Sequence, residues 1–275
     1  MSPDLPLEPL EVLYEAADLP DFDLPPALDE LYGGCVGFDE PRVYANFVST
    51  LDGVVAIPAL AQSNKLISAG SEGDRFVMGL LRAFSDVVLI GAGTLTGSPR
   101  GSWRPEQAYP PAARAFAELR RRLGRSETPE VAILSGRGSI VPTHPALEAG
   151  ALVLTSAPGA ARLRPRLPAA STIVALDQET TLDPRRVVEA LHDRGHRLIL
   201  SEAGPHGFGA LAAAGLVDEL FLTLSPLLVG SADGTNRFGL VEGVDLLPLR
   251  VEGRLLSLRR QGAHIFLRYE LKRST

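Results

Sequence analysis

From residue 43 onward, short apolar runs alternate with segments whose apolar residues recur at helical spacing. Residues 43–49, 86–90, 131–134, 152–154, 172–176, 197–201 and 220–228 read as strands. The run at 86–90, DVVLI, is of the buried parallel type. Between the strands, residues 74–83, 111–123 and 184–194 read as helices, the first with Phe76, Val77, Leu80 and Leu81 on one face. This βαβ rhythm predicts a largely parallel sheet with helices on both faces. The end of the chain differs. Residues 249–258 and 263–271 alternate around a Gln261-Gly262 turn, which predicts a hairpin adding antiparallel strands at one edge. The fold class is therefore α/β, with a mixed, mostly parallel sheet.

Punctuation refines the pattern. Asp52-Gly53 is a turn signal leading into a second short apolar run, 54–57. Residues 59–73 read as a polar loop, and residues 96–111 as a long loop carrying Trp103, the chain's single tryptophan. Residues 1–41 mix prolines and acids with scattered apolar residues such as Leu10, Tyr14, Phe22 and Leu31. That is too apolar for a free linker. It reads as an arm packed across the domain, or across a second subunit, with the main domain at 42–275.

The bulk numbers narrow the function. Of 275 residues, 45% are hydrophobic and 22% charged, and the formal net charge of −6 argues against a general nucleic-acid or acidic-membrane surface. The lone Cys35 excludes an internal disulfide framework and a cysteine-based zinc site, and fits a reducing cytoplasm. No apolar run approaches the roughly 20 residues needed to span a bilayer, and the N-terminus lacks the pattern of a secretory signal.

The most informative stretch is 198–230, LILSEAGPHGFGALAAAGLVDELFLTLSPLLVG. A strand ends at the acidic Glu202, and a turn containing Gly204, Pro205, His206, Gly207, Phe208 and Gly209 leads into an alanine-rich helix. A helix N-terminus at a strand's carboxyl end is an anion site, because its first N–H groups are unpaired and the dipole is positive there. Glu202 would repel that anion, so it should face a second ligand.

Other motifs are weaker. GAGTLTG at 91–97 follows a strand, but its third glycine is one place late for a dinucleotide fingerprint. Ser98-Pro99 and Gly101 predict that no helix opens there. His192 and His196 have metal-ligand spacing without a third ligand, and read as a solvated helix end. No Gly-x-Ser-x-Gly elbow exists, which disfavours a hydrolase. Lys65 reads as a surface or phosphate-contacting residue, Asp52 as a turn residue or a ligand-positioning carboxylate, and Arg82 as a solvated residue near a helix end.

Three blocks taken in order change this picture: NFVSTLDG at 46–53, GDRFVMGLLRAFSDVVLIGAGTL at 73–95, and SEAGPHGFGALAAAGLVDELFLTLSPLLVG at 201–230. Together they resemble the reductase domain of riboflavin biosynthesis, the C-terminal half of the bifunctional deaminase–reductase, which has a dihydrofolate-reductase-like fold. The resemblance implies an NADPH-dependent, usually dimeric enzyme. Its substrate would be a phosphorylated 5-amino-6-ribosylaminouracil, reduced at the sugar C1′. It implies that Val48, Gly91, Gly93, Thr94 and the 204–210 turn hold the cofactor, with Ser135 and Arg137 at the adenosine 2′-phosphate. Glu202 and Asp52 would orient the substrate, Arg82 and Arg104 would hold its phosphate, and Ser63 would contact it. Two departures leave the substrate open. Asn46 stands where these enzymes carry a lysine, and Gly97-Ser98-Pro99 stands where they carry Asp-Asp-Pro. The deaminase half is missing, since its zinc site needs histidine and paired cysteines. The alternatives are a reductase of another heterocycle, such as dihydrofolate, and a non-enzymatic nucleotide-binding protein.

Overall fold

The apolar runs become strands of one sheet in the computed structural model, which describes residues 7–273. In chain order the strands are β1 (Glu11–Glu15), β2 (Arg42–Ser49), β3 (Val87–Gly91), β4 (Glu130–Leu134) and β5 (Leu152–Ser156). They continue as β6 (Thr172–Asp177), β7 (Leu198–Glu202), β8 (Glu219–Leu224), β9 (Val251–Gln261) and β10 (His264–Arg273). The helices are α1 (Pro26–Tyr32), α2 (Ser63–Ile67), α3 (Glu72–Phe84), α4 (Ala92–Gly97) and α5 (Pro105–Ala108). After them come α6 (Ala113–Arg122), α7 (Pro145–Glu148), α8 (Ala157–Leu163), α9 (Pro184–His192) and α10 (Gly204–Ala214).

The sheet order is β1-β9-β10-β8-β2-β7-β3-β4-β5-β6. From β8 to β6 every neighbouring pair is parallel, while β10, β9 and β1 are added antiparallel. Because successive side chains point to opposite faces, the central strands feed two cores. Val88, Ile90, Leu198 and Leu200 pack beneath α1, α3 and α6, against Leu28, Phe76, Leu80 and Phe116. Val87, Leu89 and Ile199 pack on the other face with Val187 and Leu191 of α9 and Phe208 and Leu211 of α10.

The N-terminal arm belongs to the same sheet and core. β1 pairs with β9, and Leu28, Leu31 and Tyr32 of α1 are buried with the α3 residues. Three local expectations are corrected. The short apolar run 54–57 lies outside the named strands; Ala56 makes an isolated bridge to Phe238, while Val54 and Ile57 bury with Val48 and Ile67. That burial of Ile67 orders α2 inside the expected polar loop. A helix does open in GAGTLTG: α4 starts at Ala92, and Ser98-Pro99 ends it rather than preventing it. The eighth strand stops at Leu224, ahead of Ser225-Pro226, where proline offers no ladder N–H.

Candidate active site

The carboxyl ends of β2, β3, β4 and β7 open into a cavity of about 670 Å³. Ligands of open α/β sheets bind at this end of the strands, in the crevice where helix N-termini gather. One wall is built by α4 and the start of α10. Gly91, Gly93, Thr94, Gly204, Pro205, His206 and Gly207 all line it. The Thr94 hydroxyl donates to the Glu202 carbonyl at 3.3 Å and ties the two glycine-rich turns together. Gly91 approaches the Ala203 carbonyl so closely that a Cβ there would lie 2.7 Å from the oxygen. Gly204 has φ of +74°, a conformation side chains disfavour. Among the described residues no side chain caps α10, so its first-turn N–H groups are available to an anion at the cavity wall.

The opposite wall carries charge. Glu202 receives Arg82 Nε at 2.9 Å and Nη2 at 2.7 Å, a bidentate pair whose side chains are only 11% and 8% exposed. Arg82 is therefore not the solvated helix-end residue its position suggested. It is reached because Arg120, itself buried, donates to the carbonyls of Arg82, Ala83 and Ser85 and fixes the end of α3. Burial pushes the Arg120 guanidinium down to about 10. Asp74 also lines this wall, 4% exposed, with Thr223 beside its carboxyl. Burial raises it to about 6, opposed by Thr223, His264 and Arg82 and reinforced by Glu202. Asp74 was missed in the sequence, although it lies on the apolar face of α3, three residues before Val77 and seven before Leu81.

Asn46, Val48 and Ser63 line the cavity as expected of site residues, joined by Met78, Trp103, Gly136 and Phe238. The Ser63 hydroxyl accepts from Ile57 N at 3.2 Å. Trp103, with φ of +51°, sits behind a loop that Gln107 staples through Ser102 N and the Arg100 carbonyl.

Several expected residues are placed elsewhere. The Asp52 carboxylate is exposed and outside the lining, accepting from the Thr50 hydroxyl and from Gly230 N at 2.6 Å; these bonds hold it below the usual carboxylate range. It anchors the loop after β8. Phe208 packs on Phe47, and Gly209 faces the 241–244 loop, so neither lines the cavity. Ser135 is buried beneath it, with its carbonyl accepting from the Thr155 hydroxyl. Arg137 stands exposed one residue beyond the lining Gly136, and Arg104 one residue beyond Trp103, within 4.0 Å of Glu106. His206, by contrast, does line the cavity, exposed and edge-on against Phe238. His192 meets the His196 carbonyl, and His196 meets Glu130 at 2.6 Å.

Residues 41–265 match the RibD C-terminal domain, and the chain belongs to that family. It is 27% identical over 200 residues to the 2,5-diamino-6-ribosylamino-4(3H)-pyrimidinone 5′-phosphate reductase of Archaeoglobus fulgidus, across 70% of this chain and 84% of that protein. A pyrimidine reductase-like protein from Corynebacterium diphtheriae superposes with a TM-score of 0.67 at 21% identity, over 85% of this chain and 93% of that one. RibD of Acinetobacter baumannii gives 0.64 at 19% identity, over 85% of this chain and 59% of its own length. At such identities the structural likeness speaks to the fold. No helix among the described residues is long and apolar enough to cross a membrane.

Proposed function

We propose that this chain is an NADPH-dependent reductase of a phosphorylated ribosylamino-pyrimidine, acting at the sugar C1′. The observation that carries the reading is the two-walled cavity: an uncapped helix N-terminus with glycine turns on one side, and the Arg82–Glu202 pair on the other. The cofactor wall fits a dinucleotide. Gly93 has no atom within 4 Å of where its Cβ would project, and Gly207 and Gly204 keep side chains away from the α10 N–H groups. The pyrophosphate is assigned to that helix end, the nicotinamide to the Val48 side, and the 2′-phosphate to Arg137. NADPH, when bound, supplies the hydride.

The protein's own contribution is placement and charge. A hydride added to C1′ of the ring-opened imine must be matched by a proton on the nitrogen, giving the ribityl amine. Glu202, held still by Arg82, orients the sugar and imine end, and Asn46 and Ser63 supply neutral hydrogen bonds beside it. Arg104, on the solvent side of Trp103, is assigned the substrate phosphate; Arg82 is already occupied by Glu202. A cytoplasmic homodimer belongs to the same reading, and light scattering tests its assembly. Following NADPH absorbance with the phosphorylated pyrimidine, and in parallel with dihydrofolate, tests the function. The second substrate is included because Asn46 replaces the lysine that riboflavin reductases carry, while a buried carboxyl, Asp74, takes a position suited to a heterocycle's amino edge.

A further inference from the structure

Trp103 is the chain's single tryptophan, and the loop around it holds the ring at the cavity. The ordinary use of such a residue is as an apolar anchor that pins a loop to the core, and 2% exposure fits that use. Three observations go beyond it. The backbone is strained, with φ of +51°, a region that bulky side chains rarely adopt. Gln107 holds it there, accepting from Ser102 N at 2.7 Å and Trp103 N at 3.2 Å while donating to the Arg100 carbonyl at 2.7 Å. Room is also kept for the ring, since a Cβ at Gly101 would lie 2.7 Å from it. Finally, a buried tryptophan ordinarily gives its N–H to a partner. Among the described residues nothing accepts from the Trp103 indole, yet its nitrogen is not one of the buried polar atoms cut off from solvent. The nearby His144 ring, 5.8 Å away, is spent on the Ser98 carbonyl and on Ala146 N.

We propose that Trp103 binds substrate directly, its indole N–H donating to an oxygen of the 5′-phosphate beside the Arg104 guanidinium. This rests on the reductase reading and adds the residue that separates the phosphorylated substrate from the free riboside. An indole can only donate, and phosphate oxygens are strong acceptors. The carboxylates of Glu202 and Asp74 suit the opposite kind of group, the amino and hydroxyl donors of base and sugar. Arg82 is the only arginine or lysine lining the cavity among the described residues, and its Nε and Nη2 are given to Glu202. The phosphate therefore takes its donors from elsewhere. Residues 103 and 104 supply one of each kind, a fixed neutral donor inside and a charge at the exposed rim.

The 5′-phosphates, in their 2-amino and 2-oxo pyrimidine forms, and the matching ribosides should be titrated by calorimetry into the wild type and Trp103→Phe, beside NADPH-oxidation assays. Trp103→Phe keeps an aromatic ring and removes the N–H. It should weaken binding of the phosphorylated compounds roughly 10- to 100-fold, as loss of a hydrogen bond to a charged group does, and change riboside binding by no more than about twofold. In turnover it should raise KM far more than it lowers kcat, because the phosphate is remote from the bond that changes. Equal loss for phosphates and ribosides, or no loss for either, would overturn the assignment. If the variant fails to fold, the wild type decides through its single tryptophan. A saturating 5′-phosphate should shift the indole emission relative to the saturating riboside, which carries the same chromophore, and identical emission would overturn the proposal. A phosphate-selective loss of binding without NADPH oxidation would sink the reductase reading and leave the Trp103 contact standing. NADPH oxidation that Trp103→Phe impairs equally with phosphate and riboside would do the reverse.

Discussion

Arg82 and Glu202, 120 residues apart in the chain, meet in a bidentate ion pair on one wall of the candidate active site. Both side chains are largely out of water, so each neutralises a charge that would be costly alone. Arg82→Met should therefore lower unfolding free energy by roughly 3–5 kcal/mol in urea titrations, because it strands the carboxylate. The double variant Arg82→Met/Glu202→Leu should recover most of that stability and still have no turnover. A double variant as unstable as the single one would show that the stranded charge is not the cause.

Asp74 gives a stability effect of defined sign. Its folded value of about 6 lies above the ordinary aspartate value of 3.8, chiefly through burial, so the native state holds the proton more tightly than the unfolded chain. That contribution is complete below about 3.8 and is lost as pH rises through about 6. At pH 8 Asp74→Asn should consequently be more stable than wild type by on the order of 2–3 kcal/mol. The advantage should shrink as pH falls toward 4. Chemical denaturation of both proteins across that range measures it, and a pH-independent difference would contradict the burial account.

Much of this was legible in the chain and some was not. Helical and strand periodicity located the parallel strands and the α3, α6 and α9 helices to within a few residues, because each buries one face. The glycine turn before α10 was legible for the same local reason. The Arg82–Glu202 pair was not, since a helix-end arginine looks solvated until Arg120 and β7 are brought against it. Asp74 left a signal that was overlooked: an acid in register with Val77 and Leu81. Asp52 was ambiguous because a turn carboxylate beside a strand end has two uses, and the structure shows one of them, with the Val229 and Gly230 N–H groups bonded to it.

Two glycines at the same cavity should respond differently. A Cβ at Gly136 would lie 1.8 Å from the Thr180 carbonyl, whereas one at Gly93 would meet nothing within 4 Å. Gly136→Ala should lower the melting temperature by displacing the 178–182 loop. Gly93→Val should leave folding nearly unchanged and weaken NADPH binding about tenfold or more, since it fills space assigned to the cofactor. Thermal melts and cofactor titrations of the two variants separate these outcomes; normal NADPH affinity in Gly93→Val would remove the cofactor from that wall.

Arg137 projects from the turn after β4 without a hydrogen bond or ion pair to another described residue. If it takes the 2′-phosphate, Arg137→Ala should weaken NADPH binding by roughly 10- to 100-fold and leave NADH binding unchanged. Parallel loss of both cofactors would place its role elsewhere.

The central claim, that the cavity joins NADPH to a phosphorylated ribosylamino-pyrimidine, is tested most directly by NADPH absorbance with mass detection of the product. The account predicts one NADPH consumed per ribityl product formed, faster with NADPH than with NADH, and lost in Glu202→Gln while NADPH binding persists. Absence of NADPH consumption with both the 2-amino and 2-oxo substrates, or turnover with dihydrofolate alone, would contradict it.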